Sequence, residues 1–84
     1  MAEVIRVVFL GRLADLAGTD ASEFALPDHE ITWDSLLALL GPQLAQAARA
    51  ETVKLALNGA ILPDKAALIA GAGDEIALLP PVSG

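Results

Sequence analysis

Two segments near opposite ends of the chain, EVIRVVFL (Glu3–Leu10) and EIALL (Glu75–Leu79), carry apolar residues on both faces that a β-strand presents. Side chains alternate along a strand. Ile5, Val7 and Phe9 therefore share one face, and Val4, Arg6, Val8 and Leu10 the other. In the last segment Ile76 and Leu78 oppose Ala77 and Leu79. Strands apolar on both faces belong inside a sheet rather than at its edge. The first and last strands are predicted to lie centrally and side by side, with Ile5, Val7 and Phe9 on the core and Leu10 turned outward.

The residues between them limit what can cover this sheet. GRLADLAG (Gly11–Gly18) predicts a short helix with Leu13, Leu16 and Ala17 on one stripe and Gly18 as its left-handed stop. Thr19 and Asp20 form a turn. Ser22–Leu26 follows as a second strand, antiparallel to the first, with Phe24 and Leu26 inward. PDHE is a loop. Thr32 is a good N-cap for the one substantial helix, whose stripe is Trp33, Leu36, Leu37, Leu40 and Leu44. Gly41-Pro42 breaks or kinks it, with Pro42 opening a continuation to about Arg49. TVKLALNGAIL is a hairpin: Val53, Leu55 and Leu57 alternate with Lys54 and Ala56, and Asn58-Gly59 suits a type I′ turn. PDKAALIAGAGDE is predicted irregular, with a helical turn around Lys65–Leu68 and a turn at Gly73-Asp74.

Only one long helix is available to bury one face of a mixed four- or five-stranded sheet. The predicted fold is α+β, a ubiquitin-like β-grasp roll over residues 1–79, with residues 80–84 as an extended tail. The chain's 84 residues suffice for one such domain. Apolar residues make up 55% and aromatic residues only 4%, so the core must be built from Leu, Ile, Val and Ala.

Composition also excludes several functions. There is no cysteine, hence no disulfide framework, thiolate metal site or cysteine nucleophile. The N-terminus lacks the pattern of a signal peptide, and no apolar run reaches the ~20 residues of a membrane span. A cytoplasmic location is expected. The formal net charge of −6 disfavours nucleic acid and anionic lipid, and serves solubility or steering toward a basic partner surface.

Candidates for chemistry within the body are poor. His29, the single histidine, sits between Asp28 and Glu30 in a loop, where consecutive residues do not converge on a metal; a solvated turn is the better reading. Ser22, Ser35 and Ser83 have no histidine placed to activate them. GAGDE (Gly71–Glu75) lacks the spacing of a phosphate loop and precedes a strand. No cofactor is expected to be held tightly.

The end of the chain, LLPPVSG, is different. Pro80 and Pro81 have no N–H and fix an extended backbone. Pro80 to Gly84 can project about 15 Å, at ~3.1 Å per residue. Ser83 and Gly84 have little bulk, so such a tip can thread a narrow tunnel and present a carboxylate there; a disordered terminus is the plain alternative. Leu10 and Leu79 turn outward on adjacent central strands, and Ile61 joins them, giving an apolar docking face beside the tail.

FLGRLADLAGTDASEFAL, the TWDSLLALL helix, LALNG and GDEIALLPPVSG together resemble the small subunit of molybdopterin synthase over essentially the whole chain. The most specific element is the end: a GDE turn, one apolar strand, PPV, a small residue and glycine. The resemblance implies a β-grasp sulfur carrier with no autonomous active site. An adenylating enzyme of the ubiquitin-activating type would use ATP to activate the carboxylate of Gly84. A sulfur donor protein would then displace AMP, leaving a thiocarboxylate. The tail, Pro80, Pro81, Val82 and Ser83, would enter the large synthase subunit, with Leu10, Ile61 and Leu79 docking beside it. Sulfur would pass to cyclic pyranopterin monophosphate in molybdenum cofactor biosynthesis, within a heterotetramer. That family ends in two glycines, whereas this sequence ends Ser83-Gly84. Either Gly84 is reactive and Ser83 replaces the penultimate glycine, or one further glycine belongs after it. Competing functions are a sulfur carrier for thiamine thiazole or another thiolated product, and a non-catalytic β-grasp interaction module.

Overall fold

The computed structural model describes residues 3–26 and 29–81. In chain order these form β1 (Val4–Phe9), α1 (Arg12–Ala17), β2 (Ala21–Ala25), β3 (Glu30–Thr32), α2 (Trp33–Leu40), α3 (Pro42–Ala48), β4 (Lys54–Leu57), β5 (Ala60–Leu62), a 3₁₀ turn (Lys65–Ala67), β6 (Ile69–Gly71) and β7 (Glu75–Leu79). The main sheet has the order β2-β1-β7-β4-β5. β1 and β7 are parallel neighbours at its centre, in the register Arg6↔Glu75, Val7↔Ile76, Val8↔Ala77, Phe9↔Leu78. The other three pairings are antiparallel.

Alternation decides the faces as expected. Ile5, Val7, Phe9, Leu55, Ile76 and Leu78 are buried on one side of the sheet. Leu36, Leu37 and Leu40 of α2 and Ala45 and Ala48 of α3 cover them. Trp33 and Leu44 close the ends of this stripe and are half-buried. Among the described residues no polar or charged residue is buried.

Local signals explain the element ends. Thr32 is extended, and its Oγ1 accepts the Ser35 N–H at 3.4 Å. Gly41, at φ 86°, separates α2 from α3, and Pro42 opens the second helix. Of the break or kink expected at Gly41-Pro42, the structure shows the break, with two helices. Lys65 Nζ lies 5.4 Å from the centroid of the Trp33 ring and donates to the carbonyls of Ala48 and Ala50 at 2.7 and 2.8 Å. It thereby satisfies acceptors at the end of α3.

Three expectations are corrected. The segment after Pro27-Asp28 is not all loop, and PDKAALIAGAGDE is not all irregular. Glu30–Thr32 and Ile69–Gly71 pair as an antiparallel two-stranded sheet beyond the main one. Leu16 is 49% exposed rather than in the core. Leu13 is the one buried residue of this six-residue helix.

One polar cluster joins the two turns at the start of β7. Asn58, at φ 51°, donates from Nδ2 to Asp74 Oδ1 at 3.0 Å and accepts the Glu75 N–H at 2.9 Å. Asp74 Oδ2 accepts the Gly71 N–H at 2.8 Å. The Gly71 N–H, then the Asn58 amide, hold the Asp74 carboxyl below its usual value. A lowered folded-state pKa stabilises the fold above the unfolded value of 3.8, and this is lost as pH falls through the lowered value. Asp74→Asn is expected to flatten the acid limb of a stability–pH curve measured by urea unfolding. In the same assay Leu36→Ala, which truncates a fully buried side chain, is expected to cost about 2–5 kcal/mol at every pH.

Candidate functional site

β7 leaves the sheet between β1 and β4. Its alternation is retained to the last residue: Leu78 is buried, and Leu79 is half-buried on the opposite, outer face. Beside it on that face stand Leu10, which directly follows β1 and is 42% exposed, and Lys54, opposite Leu79 in the β4–β7 register. The adjoining row is Val8, Ala77, Ala56 and Ile61, aligned across four strands. Ile61 is 60% exposed and ends this row at the sheet edge.

The next row is polar. Arg6 lies between Glu23 on β2 and Glu75 on β7, with its Nε 3.4 Å from Glu75 Oε2. The two adjoining apolar rows of the outer face therefore lie in the half of the sheet from which the tail departs. Leu10 and Leu79 stand on this outer face, as alternation predicted, and Ile61 ends the adjoining row two strands from Leu79. No helix lies over them among the described residues.

The tail begins under restraint. Pro80 is half-buried and Pro81 exposed. Gly11, at φ 55° and ψ −129°, turns the chain from β1 into α1, and a Cβ there would approach Pro80 Cγ to 3.1 Å. The role of Gly11 was missed in the sequence, because only the approach of a distant residue reveals it. Pro80 and Pro81 also wall an apolar groove with Leu16, Ala47, Ala50 and Val53. Exposure of Leu16 thus enlarges the nonpolar surface around the tail root. The remaining predicted residues, Val82, Ser83 and Gly84, lie outside the described ones.

Elsewhere the surface is chemically quiet. His29 is exposed and bonds through Nδ1 to Glu3 Oε2 at 2.8 Å. Among the described residues no three His, Cys, Asp or Glu side chains converge as metal ligands. No described helix is long and apolar enough to cross a membrane.

A mixed sheet with parallel first and last strands at its centre, wrapped on one face by helices and running out into a proline-stiffened tail, defines a ubiquitin-like β-grasp protein. More particularly, the sequence profile of the ThiS family matches residues 7–84, and the chain belongs to that family of ubiquitin-like sulfur carriers. Among solved structures, SAMP1 from Haloferax volcanii is 30% identical, with 96% of this chain and 98% of that chain covered and a TM-score of 0.73. Subunit 1 and 2 of molybdopterin-converting factor from Helicobacter pylori were solved as a complex. The matching chain is 23% identical, with 96% and 97% covered and a TM-score of 0.65. A Pyrococcus furiosus protein assigned as molybdopterin converting factor subunit 1 is 22% identical, with 96% and 100% covered and a TM-score of 0.73. These last two likenesses are likenesses of fold.

Two substitutions separate stability from surface. Gly11→Ala places a side chain at positive φ against Pro80 and is expected to cost about 1–3 kcal/mol in thermal or urea unfolding. Ile61→Asp, at an exposed sheet-edge position, is expected to change unfolding by less than about 1 kcal/mol.

Proposed function

We propose that this chain carries sulfur as a C-terminal thiocarboxylate on Gly84 and donates it to cyclic pyranopterin monophosphate within a molybdopterin synthase, in the cytoplasm. One observation carries this reading. β7 is anchored in the core at Ile76 and Leu78, and runs directly into Pro80 and Pro81 at the margin of an exposed apolar face. Such a body starts its C-terminal segment, at Pro80 and Pro81, at a fixed place relative to a docking surface. Membership of the ThiS family and the fold shared with a molybdopterin-converting factor subunit support it.

The chemistry rests on the weakness of a carboxylate as an electrophile. In the adenylating enzyme, a Gly84 carboxylate oxygen attacks the α-phosphorus of ATP, and pyrophosphate leaves. The acyl-adenylate then has a good leaving group. A sulfur nucleophile at the oxidation level of sulfide, supplied through a donor protein, attacks the acyl carbon and expels AMP. Glycine places no side chain beside that carbon. The tail of Pro80, Pro81, Val82 and Ser83 then enters the large subunit, while Leu10, Ile61 and Leu79 bury themselves against it. The thiocarboxylate sulfur bonds to a side-chain carbon of the pterin precursor as the oxygen substituent on that carbon leaves, and water then cleaves the acyl–sulfur bond, returning the Gly84 carboxylate and leaving the sulfur on the pterin as a thiolate. Two charged carriers serve each dithiolene, which accords with two copies in a heterotetramer. ATP is consumed by the activating partner, and this chain retains no cofactor.

A second reading rests on the 30% identity to SAMP1, a small archaeal modifier protein. The same activated acyl end would then be attacked by a protein amine, forming an amide.

Intact mass distinguishes these outcomes. Incubation with the cognate adenylating enzyme, ATP and a sulfide source is expected to add about 16 Da, sulfur for oxygen, to the full-length chain. Deleting Gly84, or adding a residue after it, is expected to abolish precursor conversion by the reconstituted synthase without altering the thermal melt. Leu79→Asp is expected to weaken capture of the large subunit more than it weakens the fold. An unchanged mass on an intact chain would leave a β-grasp interaction module. A normal thiocarboxylate with capture of a thiazole synthase instead of the large subunit would assign the sulfur to thiamine.

A further inference from the structure

Asn58 is the only asparagine in the chain, and a glycine follows it. The pair makes the turn between β4 and β5, with φ of 51° at Asn58 and 87° at Gly59. Both residues are exposed to water. Asparagine before glycine has a reaction of its own. The nitrogen of the peptide bond that follows can attack the side-chain amide carbon, and glycine puts no side chain in the way.

In the fold that carbon is held. Asn58 Nδ2 donates to Asp74 Oδ1 at 3.0 Å, and Asn58 Oδ1 accepts the Glu75 N–H at 2.9 Å. The Asn58 backbone N–H donates to the Glu75 carbonyl at 2.8 Å. Asp74 is fixed in turn, because its Oδ2 accepts the Gly71 N–H at 2.8 Å. Both polar atoms on the amide carbon are therefore tied to the start of β7 and the turn before it. Swinging the carbon onto the Gly59 nitrogen requires this tether to break. Its bonds are exposed, so it opens locally far more often than the whole fold does.

We propose that Asn58 is a site of spontaneous deamidation, gated by its tether to Asp74, and that the conversion loosens the start of β7. The Gly59 nitrogen gives its proton to water and bonds to the Asn58 side-chain carbon, and ammonia leaves. Water then opens the five-membered imide at either carbonyl. The products carry aspartate or isoaspartate at position 58, one amide having been exchanged for one carboxylate. Aspartate there has no donor for Asp74 Oδ1 and sets a second negative charge against it. Isoaspartate lengthens the main chain inside a two-residue turn, which the type I′ geometry does not accommodate. Either product severs the β4–β5 turn from the turn before β7. None of this depends on what the tail carries.

The test incubates the full chain at neutral pH and follows intact mass, to which each conversion adds about 1 Da. Isoaspartate is counted by methyl transfer from S-adenosylmethionine with an isoaspartyl methyltransferase. The folded wild type is expected to convert at least about tenfold more slowly than the same chain in urea, and equal rates overturn the proposal. Asp74→Ala, at a temperature where it is folded, is expected to convert about tenfold faster than the wild type, the factor for losing a hydrogen bond to a carboxylate. An unchanged rate overturns the gate. Leu36→Ala weakens the core without touching the tether, and is expected to stay close to the wild-type rate. If it matches Asp74→Ala, opening is global and the tether gates nothing, which also overturns the proposal. Asn58→Asp reproduces one product. Hydrogen exchange at the Gly71 and Glu75 amides is expected to be about tenfold faster in it than in the wild type. Unchanged exchange overturns the loosening of β7. Should Asp74→Ala not fold, the urea comparison and Asn58→Asp carry the test.

Discussion

The structure depends on one pairing, the parallel ladder between β1 and β7. It joins segments separated by nearly the whole chain, and every other element is placed by it. β2 and β4 add to its two outer edges, β5 adds to β4, and the helices cover the single face on which Ile5, Val7, Phe9, Ile76 and Leu78 converge. Parallel strands cannot be joined by a tight turn, so the rest of the chain becomes the connection between them. The same pairing sets the departure of the tail. A strand held on both sides cannot swing, and Pro80, which directly follows it, is therefore held in place.

That rigidity separates two tasks that enzymes usually combine. The body supplies position, through a buried strand, a proline pair and an apolar face. In the function proposed above, reactivity resides in an acyl group beyond the body, and the proteins that receive it provide the catalytic groups. The outer face has a matching division. Leu10, Leu79 and Ile61 lie toward the tail, while Glu23, Arg6 and Glu75 form a polar row behind them. A partner engaging the apolar rows is brought toward the tail rather than away from it.

Much of this was legible because it rests on local pattern. Two-residue alternation assigned both faces of β1 and β7, and hence Leu10 and Leu79. Thr32, Gly41-Pro42 and Asn58-Gly59 carry their conformations in their own chemistry, and each lies where it was expected. What escaped was short or non-local. β3 and β6 have three residues each, too few for a period to register, and exist because their backbones meet. Leu16 fits a helical stripe, but Leu13 alone of the six-residue helix is buried. Gly11 is intelligible only from Pro80, a residue at the far end of the chain. The face beside the tail could be read from alternation, whereas the groove on its other side required the packing of α1 against the end of α3.

The interior also bears on how such a protein changes through descent. Among the described residues its buried side chains are hydrocarbon, with no hydrogen bond or charge inside that demands a particular partner. Aliphatic residues of similar volume can exchange in such a setting while the backbone stays in place. Proteins sharing only 20–30% of their residues with this one accordingly keep the same architecture. Inheritance can therefore rewrite the filling freely, and selection is left to act on the few exposed positions that another molecule touches.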